Sequence, residues 1–234
     1  MAPALISSLD PVEVPQNARA PSLFSLSNRT IVITGGGRGL GLTLAHAVVE
    51  SGAHVACLDI LPEPDAAEWT SLLAIAKTAG VTATYYSCDV TSETEVAGVF
   101  KKVSETGATL GAELMGTIAC AGIQQLKLAI DYPAADFERM FKVNATGVFI
   151  TAKYAAQTMI ARGVQGSIVL IASMSGQIAN RGLTCAAYNS SKAAVHQLGR
   201  SLAAEWGMDG IRVNTLSPGV SLDLSIHFEL FLSG

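Results

Sequence analysis

Six short apolar runs, separated by longer amphipathic stretches, fill the chain from Thr30 onward. They are 30–34 (TIVIT), 54–58 (HVACL), 82–87 (TATYYS), 114–119 (LMGTIA), 167–172 (SIVLIA) and 211–216 (IRVNTL). Runs this short, rich in Val and Ile and followed by polar or glycine residues, fit strands buried on both faces. The stretches between them, at 39–51, 64–79, 92–106, 135–162 and 185–207, read as helices. In the third, Val96, Val99, Phe100 and Val103 repeat at helical spacing behind Thr91-Ser92-Glu93. Strand and helix alternating in this way predict an open, doubly wound α/β sheet.

Composition narrows the function classes. Half of the 234 residues are hydrophobic and 6% are aromatic, so the core is built mainly from Ala, Val, Ile and Leu. A net charge of −4 argues against a nucleic-acid partner, which would call for a basic stripe. The longest charge-free run, between Arg162 and Arg181, holds Gly163, Gly166 and Gly176 among polar residues and is a poor membrane span. Cys57, Cys88, Cys120 and Cys185 lie far apart with no CxxC, and read as reduced thiols with neither a disulfide framework nor a metal site. Residues 1–22 carry Pro3, Pro11, Pro15 and Pro21 and read as a flexible arm, pinned by Leu23, Phe24 and Leu26. That arm lacks the basic start and apolar core of a secretory leader, so the expected location is the cytoplasm.

The first strand runs into Thr34-Gly35-Gly36-Gly37-Arg38-Gly39-Leu40-Gly41, and a helical pattern follows at once. Glycine serves two needs here: a sharp turn, and close approach of the backbone to a pyrophosphate at a helix N-terminus. Asp59 ends the second run, where a carboxylate suits a free ribose and repels a 2′-phosphate. Arg38 pulls the other way. The expected cofactor is therefore NAD, with NADP as the alternative. Asp89 either reaches an adenine or caps the helix that follows.

Tyr188-Asn189-Ser190-Ser191-Lys192 places a phenol and an ammonium on one helix face. A cation ~4 Å from a phenol is worth about 4 kcal/mol at an effective dielectric of about 20, which would lower its pKa by roughly three. Ser173 lies just past the 167–172 strand, at the carboxyl end where open α/β sheets place ligands.

With these residues in place, the chain resembles a classical short-chain dehydrogenase/reductase. The resemblance covers about residues 24–219. It rests on Thr34-Gly35-x-x-x-Gly39-x-Gly41, Asp89-Val90, Ala121-Gly122, Asn144, Ser173, Tyr188-x-x-x-Lys192 and Pro218-Gly219. Phe24-x-Leu26, Cys57-Leu58-Asp59 and Ala172-Ser173-Met174-Ser175-Gly176 are similar to fungal polyol-type members, the D-arabinitol dehydrogenases, L-xylulose reductases and sorbose reductases.

The family implies a Rossmann-type three-layer fold and hydride transfer between NAD(P)(H) and a secondary alcohol or ketone, here a sugar alcohol or ketose. Tyr188 would be the acid/base. Lys192 would lower its pKa and hold the nicotinamide ribose, Ser173 would hydrogen-bond the substrate oxygen, and Asn144 would hold a water linking Lys192 to solvent. The Gly loop, Asp59, Asp89, Val90, Ala121, Gly122, Pro218 and Gly219 would line the cofactor. The family also implies a homo-oligomer.

Three departures stand out. Cys120 replaces the family's Asn, which would weaken the sheet locally. The stretch from Ser173 to Tyr188 is long, which makes Ser175 a rival serine. After Gly219 the chain reads as a non-family tail, 220–234, in place of a substrate lid and final strand. The expectation is a truncated chain, impaired in assembly and stability and at most a nucleotide binder if inactive. Val220-Ser221 can be encoded GTG-AGT, a typical intron start, so the tail reads as intron read-through or a gene-model error, with a genuine short isoform as the alternative.

Overall fold

The computed structural model describes residues 23–219, so the arm at 1–22 and the tail at 220–234 lie outside the described residues. Six parallel strands form one sheet: β1 (Thr30–Thr34), β2 (His54–Asp59), β3 (Ala83–Ser87), β4 (Leu114–Ala119), β5 (Gly166–Ile171) and β6 (Ile211–Leu216). Their order is β3-β2-β1-β4-β5-β6. The chain steps outward from β1 to β3 and then crosses back to β4. The carboxyl ends of β1 and β4 therefore flank the point where the order reverses, which is where such sheets open a crevice.

Every residue of β1 is buried. Ile31 and Ile33 face a layer made by α1 (Gly39–Glu50) and α2 (Ala66–Ala79), where they pack with Leu42, Val49 and Leu72. Val32 faces the opposite layer, made by α3 (Glu93–Leu110), α5 (Val148–Arg162) and α6 (Ala186–Trp206), with Phe100, Met159, Val195 and Leu202. Both faces are covered, which is why the runs are continuously apolar instead of alternating.

The expected single helix at 135–162 is interrupted. α4 (Ala134–Phe141) leads into a π-helical turn, Lys142–Gly147, before α5 begins. Such turns add a residue to the helix and recur at functional sites. This one contains Asn144. The helix announced at Ser92 runs on to Leu110, beyond the expected 106. Ser92 is its cap, accepting from the Glu95 N–H, while the Glu95 carboxylate accepts from the Asp89 N–H at 2.9 Å. The cap role considered for Asp89 thus falls to Ser92; the Asp89 carboxylate accepts from the Thr91 N–H at 2.8 Å.

Thr117 of β4 is 1% exposed, and its hydroxyl finds no hydrogen-bond partner. Thr117→Val removes that unpaired group and keeps the branched shape. It is expected to stabilise the fold by about 1 kcal/mol and to raise Tm by ~2–4 °C. A lower Tm in a thermal melt would show that the hydroxyl has a partner. Among the described residues no helix is long and apolar enough to cross a membrane, and no group of His, Cys, Asp and Glu could hold a metal ion.

Candidate active site

A cavity of about 640 Å³ opens at the carboxyl ends of the central strands. Its walls come from four places: the Gly loop (Arg38, Leu40), the segment after β4 (Cys120, Gly122 to Gln125), the end of β5 with Ser173, and Tyr188 and Lys192 on α6. Pro218 and Gly219, after β6, complete it.

The Gly loop is shaped by close backbone approach. Gly35 has φ +68° and lies against Ala121, so the turns after β1 and β4 touch. A Cβ on Gly41 would stand 2.0 Å from the Gly35 carbonyl oxygen. No side chain caps the start of α1, which leaves its first-turn N–H groups free for an anion. Asp59, 7% exposed, supports the loop from beneath: its carboxylate accepts from the Gly37 N–H at 3.0 Å and the Leu61 N–H at 3.2 Å. Arg38 is exposed at the mouth.

The tie feared lost at Cys120 is made otherwise. Thr34 ends β1 with its hydroxyl turned to β4, where it accepts from the N–H groups of Cys120 (3.1 Å) and Ala121 (3.3 Å). Burial pushes the Cys120 thiol up to about 11, against the pull of the Lys192 charge. It is a neutral wall group.

Asn144 is fully buried, and the π-helical turn aims its amide at the β4 segment. It donates to the Ile123 carbonyl at 2.9 Å and to the Ser191 hydroxyl at 3.0 Å, and it accepts from the Ile123 N–H at 2.8 Å. This amide braces the cavity floor against α6. A Cβ on Gly122 would lie 3.3 Å from Asn144 Oδ1 and 3.5 Å from Lys192 Nζ, so Gly122 sits between the two. Val90 packs beneath this region, against Gly147.

Ser173 lies two residues past the end of β5 and lines the cavity. Its Oγ accepts from the Ser175 N–H at 3.1 Å. The rival Ser175 is turned away from the cavity lining, and its hydroxyl accepts from Asn180. The turn holding both serines packs on α6 so tightly that a Cβ on Gly176 would stand 2.6 Å from the Lys192 backbone.

Lys192, 4% exposed, donates to the Ile171 carbonyl at 2.7 Å, and burial lowers it to about 8. Its ammonium stands 5.8 Å from the centroid of the Tyr188 ring. The i, i+4 spacing predicts a phenol lowered by this charge. Instead burial raises the Tyr188 pKa, with the Ser173 hydrogen bond opposing. The ammonium lies over the ring and donates to the Ile171 carbonyl, and burial sets the direction of the shift.

Ser173, Tyr188, Lys192, Gly122, Arg38, Leu40, Pro218 and Gly219 therefore share one cavity. Asn144, Ala121 and Asp59 support its walls. Gly35, Gly39 and Gly41 shape the loop, while Asp89 and Val90 stand behind at the start of α3. Sequence reasoning missed Gln124, Gln125 and Arg139, which also line the cavity. The Gln125 amide is held in place, accepting from the Tyr132 phenol at 3.1 Å and donating to Asp136 at 3.4 Å. None of the three has a spacing that marks it. His196 is buried beside Ser173.

Comparison with known proteins agrees with this architecture. Residues 29–222 match the family of short chain dehydrogenases, against 24–219 drawn from the motifs alone. A short chain dehydrogenase/reductase, notP′, of Aspergillus versicolor is 48% identical over 201 residues, 84% of this chain and 68% of that protein. The ribulose-forming D-arabinitol 2-dehydrogenase of Candida tropicalis is 35% identical over 207 residues, 85% of this chain and 72% of that protein. Among solved structures, an NAD+-bound xylitol dehydrogenase is 32% identical with a TM-score of 0.73, covering 83% of this chain and 71% of its own. The NADPH-dependent 3-quinuclidinone reductase of Rhodotorula rubra is 34% identical with a TM-score of 0.77, covering 89% and 76%. The chain belongs to the short-chain dehydrogenase/reductase family and is a dehydrogenase acting on CH–OH groups.

Proposed function

We propose that the protein interconverts a hydroxyl-rich secondary alcohol and its ketone, using NAD(H), with Tyr188 as the acid/base. The observation that carries this reading is the convergence of Ser173, Tyr188 and Lys192 on one cavity beside the Gly loop. The nucleotide fits the residues present: the backbone approach at Gly41 leaves no room for a side chain, and the start of α1 is uncapped. When bound, the nicotinamide accepts or supplies the hydride.

The chain's own groups handle the proton and the orientation. Ser173 donates to the substrate oxygen and polarises it. Tyr188 takes the hydroxyl proton during oxidation and returns it during reduction. Its raised pKa leaves it protonated at rest, ready to act as the acid on a ketone. Lys192, lowered to about 8, sits where it can hold the nicotinamide ribose and pass a proton onward. Asn144 keeps the Ile123 turn and α6 in fixed relation, so the reacting groups stay aligned.

Two observations support a polyol. Gln125 is fixed by Tyr132 and Asp136, yet keeps one N–H and one lone pair free for a substrate hydroxyl. The D-arabinitol and xylitol dehydrogenases among the similar proteins point the same way. Asp59 supports NAD over NADP, because its carboxylate beneath Gly37 would repel a 2′-phosphate. Arg38 is the group that would favour NADP. The test is a panel of pentitols and hexitols with each cofactor. NAD-dependent oxidation of at least one is expected, with NADH bound more tightly than NADPH. Tighter NADPH binding would mean that Arg38 outweighs Asp59, and no turnover of any alcohol would end the reading.

A further inference from the structure

Tyr188, Lys192 and His196 recur at intervals of four along α6 and form one stripe. The first two are assigned above; the third is not. We infer that His196 is a positioning residue of this site, a clasp that joins the Ser173 carbonyl to the Ser217 hydroxyl. The inference rests on the dehydrogenase reading of the cleft.

His196 is 6% exposed. Its Nε2 lies 3.2 Å from the Ser173 carbonyl oxygen and 3.3 Å from Ser217 Oγ. A carbonyl only accepts, so Nε2 carries the hydrogen and shares it between the two oxygens. The two partners leave the ends of different strands, β5 and β6. Ser173 meets substrate, and Ser217 precedes Pro218-Gly219 in the cavity wall.

Past the last paired residues of β5 and β6, Ile171 and Leu216, two backbone links join these segments. The Ala172 N–H donates to the Leu216 carbonyl at 2.8 Å, but the next link, from the Met174 N–H to the Pro218 carbonyl, has stretched to 3.3 Å. The clasp falls between the two links. Because it starts on α6, it places the Ser173 turn and the Pro218-Gly219 segment in the same frame as Tyr188 and Lys192. His196 is not part of the cavity lining, so it acts through Ser173 and Ser217 and not on the reacting atoms. Neutral Nε2–H and imidazolium both donate from this nitrogen, so the clasp holds in either protonation state.

Two amide variants test this. In His196→Gln the side-chain N–H₂ reaches about as far as Nε2; in His196→Asn it stops a bond short. The Gln variant should keep kcat within about threefold of wild type. The Asn variant should lose about tenfold in kcat and bind NADH about tenfold more weakly in calorimetry, as expected for one lost buried hydrogen bond. The Asn variant should melt only ~2–4 °C below the Gln variant, with both folded at the assay temperature. Hydrogen exchange at 172–176 and 217–219 should be faster in Asn than in Gln, a readout that needs no turnover. A wild type that oxidises no alcohol would refute the dehydrogenase reading while this exchange contrast still judged the clasp. Equal kcat and equal exchange in the two variants, or losses that merely follow melting temperature, overturn the inference.

Discussion

Tyr188→Phe is expected to remove turnover while leaving the fold and cofactor affinity in place. The phenol lies in the cavity with Ser173 within hydrogen-bonding reach, and its ring packs on α6 beside the Lys192 ammonium. Phenylalanine keeps the ring and removes only the transferable proton. General acid–base catalysis is worth about 10²–10⁴-fold, and the loss here should reach at least the upper part of that range, because among the described residues no second carboxyl, phenol or imidazole lines the cavity. The nearest titratable neighbours do not substitute: Cys120 is held up at about 11, and Lys192 is engaged by the Ile171 carbonyl. Steady-state kinetics paired with calorimetric titration of NADH reads both halves of the prediction. A variant with most of its activity would show that another group moves the proton.

The second large effect is expected at Gly41. A Cβ there would stand 2.0 Å from the Gly35 carbonyl oxygen and 2.6 Å from its carbonyl carbon. Both are backbone atoms of the loop itself, so Gly41→Ala forces the turn open rather than displacing a pliable side chain. Overpacking of this kind costs about 1–3 kcal/mol, and because the moving atoms form the anion cradle, cofactor affinity should fall by roughly 5–150-fold. Gly98 provides the control. It lies inside α3 with nothing within 4 Å of a built Cβ. Gly98→Ala should therefore stabilise the helix by about 0.5–1 kcal/mol and leave cofactor binding unchanged. If both variants bound NADH like wild type, the Gly loop would not be the nucleotide cradle.

Much of the frame is legible in the residues. Runs such as TIVIT and SIVLIA announce buried strands because a parallel strand covered on both faces must be apolar at every position. Six strands are expected and six are present among the described residues, with boundaries displaced by a residue or so. Ser173 and the Tyr188–Lys192 pair are legible for a similar reason: strand ends and i, i+4 positions on a helix fix where side chains go before any tertiary contact forms. The π-helical turn at Lys142–Gly147 is not legible. Its residues keep a helical pattern, and only the fit of Asn144 between Ile123 and Ser191 decides the extra residue.

The chain by itself therefore determines the strand and helix order, the Gly turn and the chemical identity of the reacting groups, since these depend on local periodicity and residue type. The tertiary structure decides the rest, because it depends on groups distant in sequence. Thr34 takes over the tie that Cys120 does not make, across 86 residues of chain. Ser175 is turned to Asn180 while Ser173 stays on the cavity. Gln125 is oriented by Tyr132 and Asp136, and His196 becomes a bridge between two strand ends. The phenol's acidity belongs to this second class as well. Spacing places a cation near Tyr188, but burial, a product of packing, sets the direction in which its pKa moves.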